Sequence, residues 1–176
     1  MVATGRGATQ GVLFRDAAAI ENLRKVNTLI IDKTGTLTEG KPRLAAVIAL
    51  DGTAEDELLR LAATAEAGSG HPLGRPVVEA GRKQGPLPIP ETLDEHAGMG
   101  ISARIEGREV AGGNRRLMEK LGIPLGTEGE AGLNRLLQAG QTPILVAADG
   151  RLIGLLGMSD MAREGAAEAI ARLRDI

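Results

Sequence analysis

Apolar positions in this chain follow two periods. A short unbroken run, Thr28-Leu29-Ile30-Ile31, predicts a strand buried on both faces, as in a parallel sheet. It ends on Asp32 and a hydroxyl-rich turn, Lys33-Thr34-Gly35-Thr36-Leu37-Thr38. Ahead of it, Gly5, Gly7 and Gly11 break the lead-in, and Asp16 is placed to cap a short helix over 17–23. Glu39-Gly40-Lys41-Pro42 then interrupts the pattern as a linker does.

Residues 43–148 read as a separate α+β unit. A strand is predicted over 44–50, closed by the turn pair Asp51-Gly52. Thr53 and Asp56 have the form of a capping box. Leu58, Leu61, Ala62 and Ala65 then fall on one helical face, and that helix should stop near Gly68. Pro72 and Pro76 suit the first turns of a second helix ending near Gly81. Glu106-Gly107 predicts a two-residue hairpin turn between strands at 101–105 and 108–111, and Asp149-Gly150 predicts another between 142–148 and 151–157. Helices are expected at 115–121 and at 128–138, the second opened by a Thr127/Glu130 box and stopped by Gly140, with a last helix over about 162–173.

Composition narrows the functional classes. The 176 residues carry a formal charge of -2, which favours neither nucleic acid nor an anionic membrane surface. With one Phe and no Trp or Tyr, the core must be aliphatic, and few rings are available to stack on bases. The absence of Cys excludes disulfides and thiolate metal sites. No apolar stretch approaches the roughly 20 residues of a spanning helix, and Met1 is not followed by a leader-like apolar region.

Candidate chemistry starts at Asp32, since ligands of open α/β sheets bind beyond the carboxyl ends of strands. An Asp there is in isolation an ordinary turn residue. The seven residues from Asp32 to Thr38, however, resemble the phosphorylation signature of P-type ATPases, transport enzymes built on a haloacid-dehalogenase-like core. The resemblance implies that Asp32 attacks the γ-phosphorus of ATP to form an aspartyl-phosphate. It also implies that Lys33 supplies positive potential, that Thr34 offers its backbone carbonyl to Mg²⁺ alongside Asp32, and that Thr36 bonds a phosphate oxygen. Thr34 stands where hydrolytic relatives carry an acid/base Asp.

Three further elements fit the heavy-metal (P1B-type) subgroup. The segment around Glu66-Ala67-Gly68-Ser69-Gly70-His71-Pro72 resembles its Ser-Glu-His-Pro element, which implies that His71 orients adenine and Glu66 contacts the purine. Gly70 departs from the acidic residue common there. Gly98-Met99-Gly100 before the first hairpin and Gly113-Asn114 after it resemble the subgroup's Gly-x-Gly and Gly-Asn elements, which implies close backbone approach to the nucleotide. Asn114 reads equally as a helix N-cap. Asp160-Met161-Ala162-Arg163 resembles the Asp-x-x-Arg that opens a helix on return to the phosphorylation domain, and reads otherwise as a plain cap with a solvated Arg.

The resemblance implies an α/β fold: an incomplete haloacid-dehalogenase-like phosphorylation domain with a parallel sheet, into which an α+β nucleotide-binding domain with an antiparallel sheet is inserted. Residues 1–42 would be the lead-in and first part of the phosphorylation domain, 43–148 the nucleotide-binding domain, and 149–176 the start of the returning part. The Thr-Gly-Asp and Gly-Asp-Gly-x-Asn-Asp loops of the family are not in the sequence. Residues 1–42 and 150–176 are therefore expected to be poorly protected, and the segment alone weakly active or inactive. ATP or ADP and Mg²⁺ are the implied ligands. The implied partners are the remaining phosphorylation-domain half, an actuator domain, membrane helices and a transported metal ion. The segment would face the cytoplasm of a membrane protein. Cu⁺ is favoured by the lead-in, with Zn²⁺, Cd²⁺ or Ag⁺ export, a non-catalytic nucleotide-binding fragment and a soluble phosphatase as alternatives.

Overall fold

The structure is a computed structural model that describes residues 2–23, 25–69, 71 and 73–174. The chain divides into two compact units, residues 1–33 and 34–176. The first holds α1 (Val2–Thr9) and α2 (Ala17–Leu23). Asp16 caps α2 as expected, its Oδ1 accepting from the backbone N–H of Ala19 at 2.8 Å.

Residues 28–31 form no strand, which corrects the expectation of a buried parallel strand there. Leu29 is 57% and Ile30 94% exposed. An extended segment becomes a strand only by pairing, and every described strand pairs within the second unit. Lys33–Leu37 makes one π-helical turn after Asp32.

The second unit is built on one antiparallel sheet, with spatial order β1 (Thr38–Ala49), β6 (Arg151–Ala162), β5 (Thr142–Ala148), β4 (Arg108–Gly113), β3 (Gly100–Ile105) and β2 (Thr92–His96). The antiparallel sheet expected from the sequence is present. Alternation splits its side chains between two cores. Ile144, Val146 and Ala148 join Leu58, Leu61 and Val77 from α3 (Glu55–Ala67) and α4 (Gly74–Arg82). Leu145 and Ala147 join Leu117, Met118, Leu133 and Leu136 from α5 (Arg115–Lys120) and α6 (Gly126–Gln138). A short α7 (Ala166–Arg174) follows β6.

Both predicted hairpin turns form, with Glu106 and Asp149 held at φ 51° and 50° by the following glycines. Neither predicted capping box does. The N-cap of α3 is Ala54 and that of α6 is Leu125, without side-chain caps. Acidic residues at 55–57 favour the α3 N-terminus through its dipole instead, while Glu130 is engaged by Arg115 at 2.8 Å. Strand β2 has no counterpart in the sequence reading, because it is a polar edge strand. The last helix starts later than expected because β6 runs on to Ala162. Residues 152–158 are buried in the sheet, so the expectation of a poorly protected flank from 150 onward is overturned there. The expected boundaries at 42/43 and 148/149 fall inside β1 and at the β5–β6 turn.

Candidate functional site

A cavity of about 650 Å³ opens where the α3–α4 connection meets the ends of β2, β3 and β4. Glu66, His71, Gly98, Gly100, Gly113 and Asn114, residues from separate stretches of sequence, all line it. Gly70 and Pro72 lie outside the described residues.

Glu66 occupies the last turn of α3, which Gly68 closes. Its Oε2 is buried without a hydrogen-bond partner. The first residue of α4 makes room for it: a Cβ on Gly74 would stand 2.2 Å from Oε2. Burial, and secondarily the negative charge of Glu95, push the Glu66 carboxyl up to about 7. Burial thus favours the protonated form of this group in a range where ordinary carboxyls are ionised.

The glycine cradle follows from the β3–β4 register, which sets Gly100 opposite Gly113. Gly100 has φ 141°, and a Cβ there would lie 2.2 Å from the Gly112 carbonyl oxygen. Only glycine allows that approach. Asn114 ties the loop down. Its N–H donates to the Met99 carbonyl at 2.8 Å and its Nδ2 to the Gly98 carbonyl at 2.9 Å. Its Oδ1 accepts from the Leu117 N–H at 3.2 Å, so it also caps α5.

His71 is exposed at the rim. Its N–H donates to Ser69 Oγ and its Nδ1 accepts from the Leu73 N–H, each at 3.2 Å. An accepting Nδ1 leaves Nε2 as the free ring nitrogen. The chain's only other histidine, His96, lines the same cavity. Lys120 Nζ lies 3.1 Å from its Nδ1 and Ser102 Oγ 2.9 Å from its Nε2. An ammonium can only donate, so His96 accepts at Nδ1 and donates from Nε2.

The other predicted constellation is partly described. Asp32 is the exposed penultimate residue of the first unit, and Thr36 is exposed in the second. The side chains of Lys33 and Thr34 lie outside the described set. Asp160 does not cap a helix. It accepts from the Thr38 hydroxyl, from the Gly40 N–H at 3.1 Å and from the Lys41 N–H at 3.0 Å. Arg163 is not a free solvated side chain either. Its Nε donates to the Thr38 carbonyl at 3.0 Å and its Nη2 to the Gly35 carbonyl at 2.9 Å. Together they clamp the second half of the signature to the end of β6.

Residues 26–176 match the haloacid dehalogenase-like hydrolase family. The chain belongs to this family. Within it, the chain is 41% identical over 175 residues to a silver exporting P-type ATPase of Salmonella typhimurium, covering 99% of the chain and 21% of the relative. It is 42% identical over 177 residues to a copper-transporting P-type ATPase of Rhizobium leguminosarum bv. viciae, again covering 99% and 21%. Among solved structures, a zinc-transporting PIB-type ATPase in its E2.Pi state superposes with a TM-score of 0.69 at 36% identity, over 98% of the chain and 28% of that protein. The chain thus spans about a fifth of the curated relatives it matches.

For a haloacid dehalogenase-like chain, the unexpected site residues are Glu95 and His96 on β2 and the wall Thr142-Pro143-Ile144 at the start of β5. The two histidines were the available signal, since both sit within five residues of a glycine motif. Without β2 in the reading, His96 had no element to place it. Among the described residues, no cluster of three or more His, Cys, Asp or Glu side chains could hold a metal ion. No helix among them is long and apolar enough to cross a membrane.

Proposed function

We propose that this chain is the ATP-binding portion of a P-type ATPase that exports a heavy-metal cation. The convergence of Glu66, His71, the two glycine motifs and Asn114 on one cavity carries the reading. The residues fit a nucleotide: Gly98 has open space where a Cβ would stand, and the buried Glu66 Oε2 has an unmet hydrogen-bonding capacity. Adenine would enter beside Glu66 and His71, with Gly98, Gly100 and Gly113 admitting it by close backbone approach and Asn114 holding the loop.

The proposed reaction is transfer of the γ-phosphoryl of ATP to Asp32. A carboxylate oxygen attacks phosphorus, the bond to the β-phosphate oxygen breaks, and ADP leaves. Lys33 and Thr36 are proposed to steady the transferring oxygens. Mg²⁺ does not fit this chain alone. The Asp32 carboxylate and Thr34 carbonyl offer at most three oxygens where such an ion takes about six, and no acidic cluster accompanies them among the described residues.

The division into 1–42, 43–148 and 149–176 is proposed as the functional one. In the whole pump, residues 28–31 would pair into a parallel phosphorylation-domain sheet completed by other segments, and this portion would sit on the cytoplasmic side of a membrane. Cu⁺ or Ag⁺ is the proposed cargo, because the relatives at 41 and 42% identity are named for those metals.

Titration of the chain with ADP, followed by NMR, tests the site. Backbone shifts should concentrate at 66–73, 98–100 and 112–114, and His71→Ala should weaken binding at least about tenfold, the loss of about 1.4 kcal/mol. Unchanged spectra on addition of nucleotide would overturn the assignment.

A further inference from the structure

The polar inventory of the cavity does not balance at Glu66. One carboxyl oxygen is buried with no partner, pressed against Gly74 of α4. The other faces Gly112 of β4, at 3.9 Å from where a Cβ would stand. No cation compensates it: no ion pair to Glu66 exists among the described residues. On α4, Arg75 pairs with Glu79 at 3.1 Å. On β3 and β4, Arg104 pairs with Glu109, and Arg108 pairs with Glu57 and Asp149. On β2, Glu95 adds a second negative charge, while His96 is taken up by Ser102 and Lys120 of α5. His71 shares the rim, its Nδ1 already accepting from Leu73. The surroundings therefore favour a carboxyl that carries its proton, and burial pushes it up to about 7.

We infer that Glu66 recognises the nucleobase as the neutral acid, so that binding of an adenine nucleotide takes up a proton at this side chain. The inference rests on the nucleotide-binding reading above. A neutral carboxyl presents one donor, O–H, and one acceptor, C=O. The amino edge of adenine presents the complement: N6–H donates to the carbonyl oxygen, and a ring nitrogen accepts from the hydroxyl. An ionised carboxylate offers only acceptors, and would set a lone pair against that ring nitrogen. It matches instead the two-donor edge of guanine. Protonation thus selects the base as well as enabling binding. The proton comes from solvent, and no covalent bond to the nucleotide forms.

Calorimetric titration of ADP into the intact chain at pH 7.5, in two buffers of different ionisation enthalpy, measures the uptake. More than half a proton per ADP is expected. Kd should weaken about 15-fold between pH 7 and 8.5, the factor set by ionising a group titrating near 7. A group titrating at about 6 to 6.5, such as a free imidazole or a terminal phosphate, is already mostly deprotonated at pH 7.5, and the Glu66→Gln comparison cancels what remains of such contributions. Glu66→Gln has one donor and one acceptor at every pH. It should take up no proton and show a Kd that changes less than twofold across the window. If the variant binds nothing, the parent's proton count and pH profile decide. ADP binding without proton uptake in the parent, equal uptake in Glu66→Gln, or GDP binding as tightly as ADP at pH 7 would overturn the inference while leaving the nucleotide site in place. Failure of ADP to bind the parent at any pH would overturn both.

Discussion

Residues 28–31 and residues 144–148 carry comparable aliphatic runs and meet opposite fates. Ile144-Leu145-Val146-Ala147-Ala148 is buried throughout, paired along β6 and, from Leu145 on, along β4 as well, and covered by helices on both faces. Leu29 and Ile30 stand open to solvent in an unpaired segment. The difference is not in hydrophobicity but in neighbours. A strand needs partners for its backbone groups and a lid for each apolar face. Glu66 supplies the converse case, a half-buried acid with one carboxyl oxygen fully buried and unpartnered. Such violations cluster where a fold holds a site.

The sharpest way to break this contrast is in β6, which pairs with both β1 and β5. Leu156→Ala, at a fully buried position, should cost about 2–5 kcal/mol in urea unfolding. A loss below about 1 kcal/mol would mean that this sheet is not the stability core.

Glu66→Gln should act next most strongly, and with a pH signature. The folded-state value of about 7 lies above the ordinary 4.5, so folding favours the protonated form. The stability linked to this proton is present below about pH 4.5 and is lost as pH rises through about 7. Glu66→Gln, which cannot ionise, should therefore stabilise the chain by about 1–3 kcal/mol at pH 8 and by little at pH 4.5, read from thermal or urea unfolding. A stabilisation larger at pH 4.5 than at pH 8 would reverse the assigned cause.

The smallest effect belongs to the exposed run. Ile30→Ala should change stability by no more than about 0.5 kcal/mol, as surface substitutions do. A cost near that of Leu156→Ala would show that 28–31 is packed in solution.

Much of the candidate site was legible before the fold. Glu66, His71, Gly98, Gly100, Gly113 and Asn114 were named from spaced motifs, and all of them line one cavity. Asn114 was legible twice, as a motif residue and as a cap. Two hairpin turns were legible because Glu106-Gly107 and Asp149-Gly150 carry their own turn chemistry. Strand β2 was not, since Thr92-Leu93-Asp94-Glu95-His96 has no strand-like alternation and is made a strand by pairing with β3. Its absence from the reading hid Glu95 and His96. The role of Asp160 was hidden for the same reason: its partners at Thr38, Gly40 and Lys41 lie about 120 residues away.

The sequence by itself determined the local conformations whose energetics lie within a few residues, namely turns, most helix spans and the cap on α5. It also carried the motifs on which the proposed chemistry rests. Only the tertiary structure decided which apolar run became sheet, that Glu66 Oε2 is buried without a hydrogen-bond partner, and that Asp160 and Arg163 clamp residues 35–41 to the end of β6. Those outcomes depend on what comes to lie against each group. Burial and hydrogen-bond satisfaction are properties of the packed neighbourhood, not of the residue.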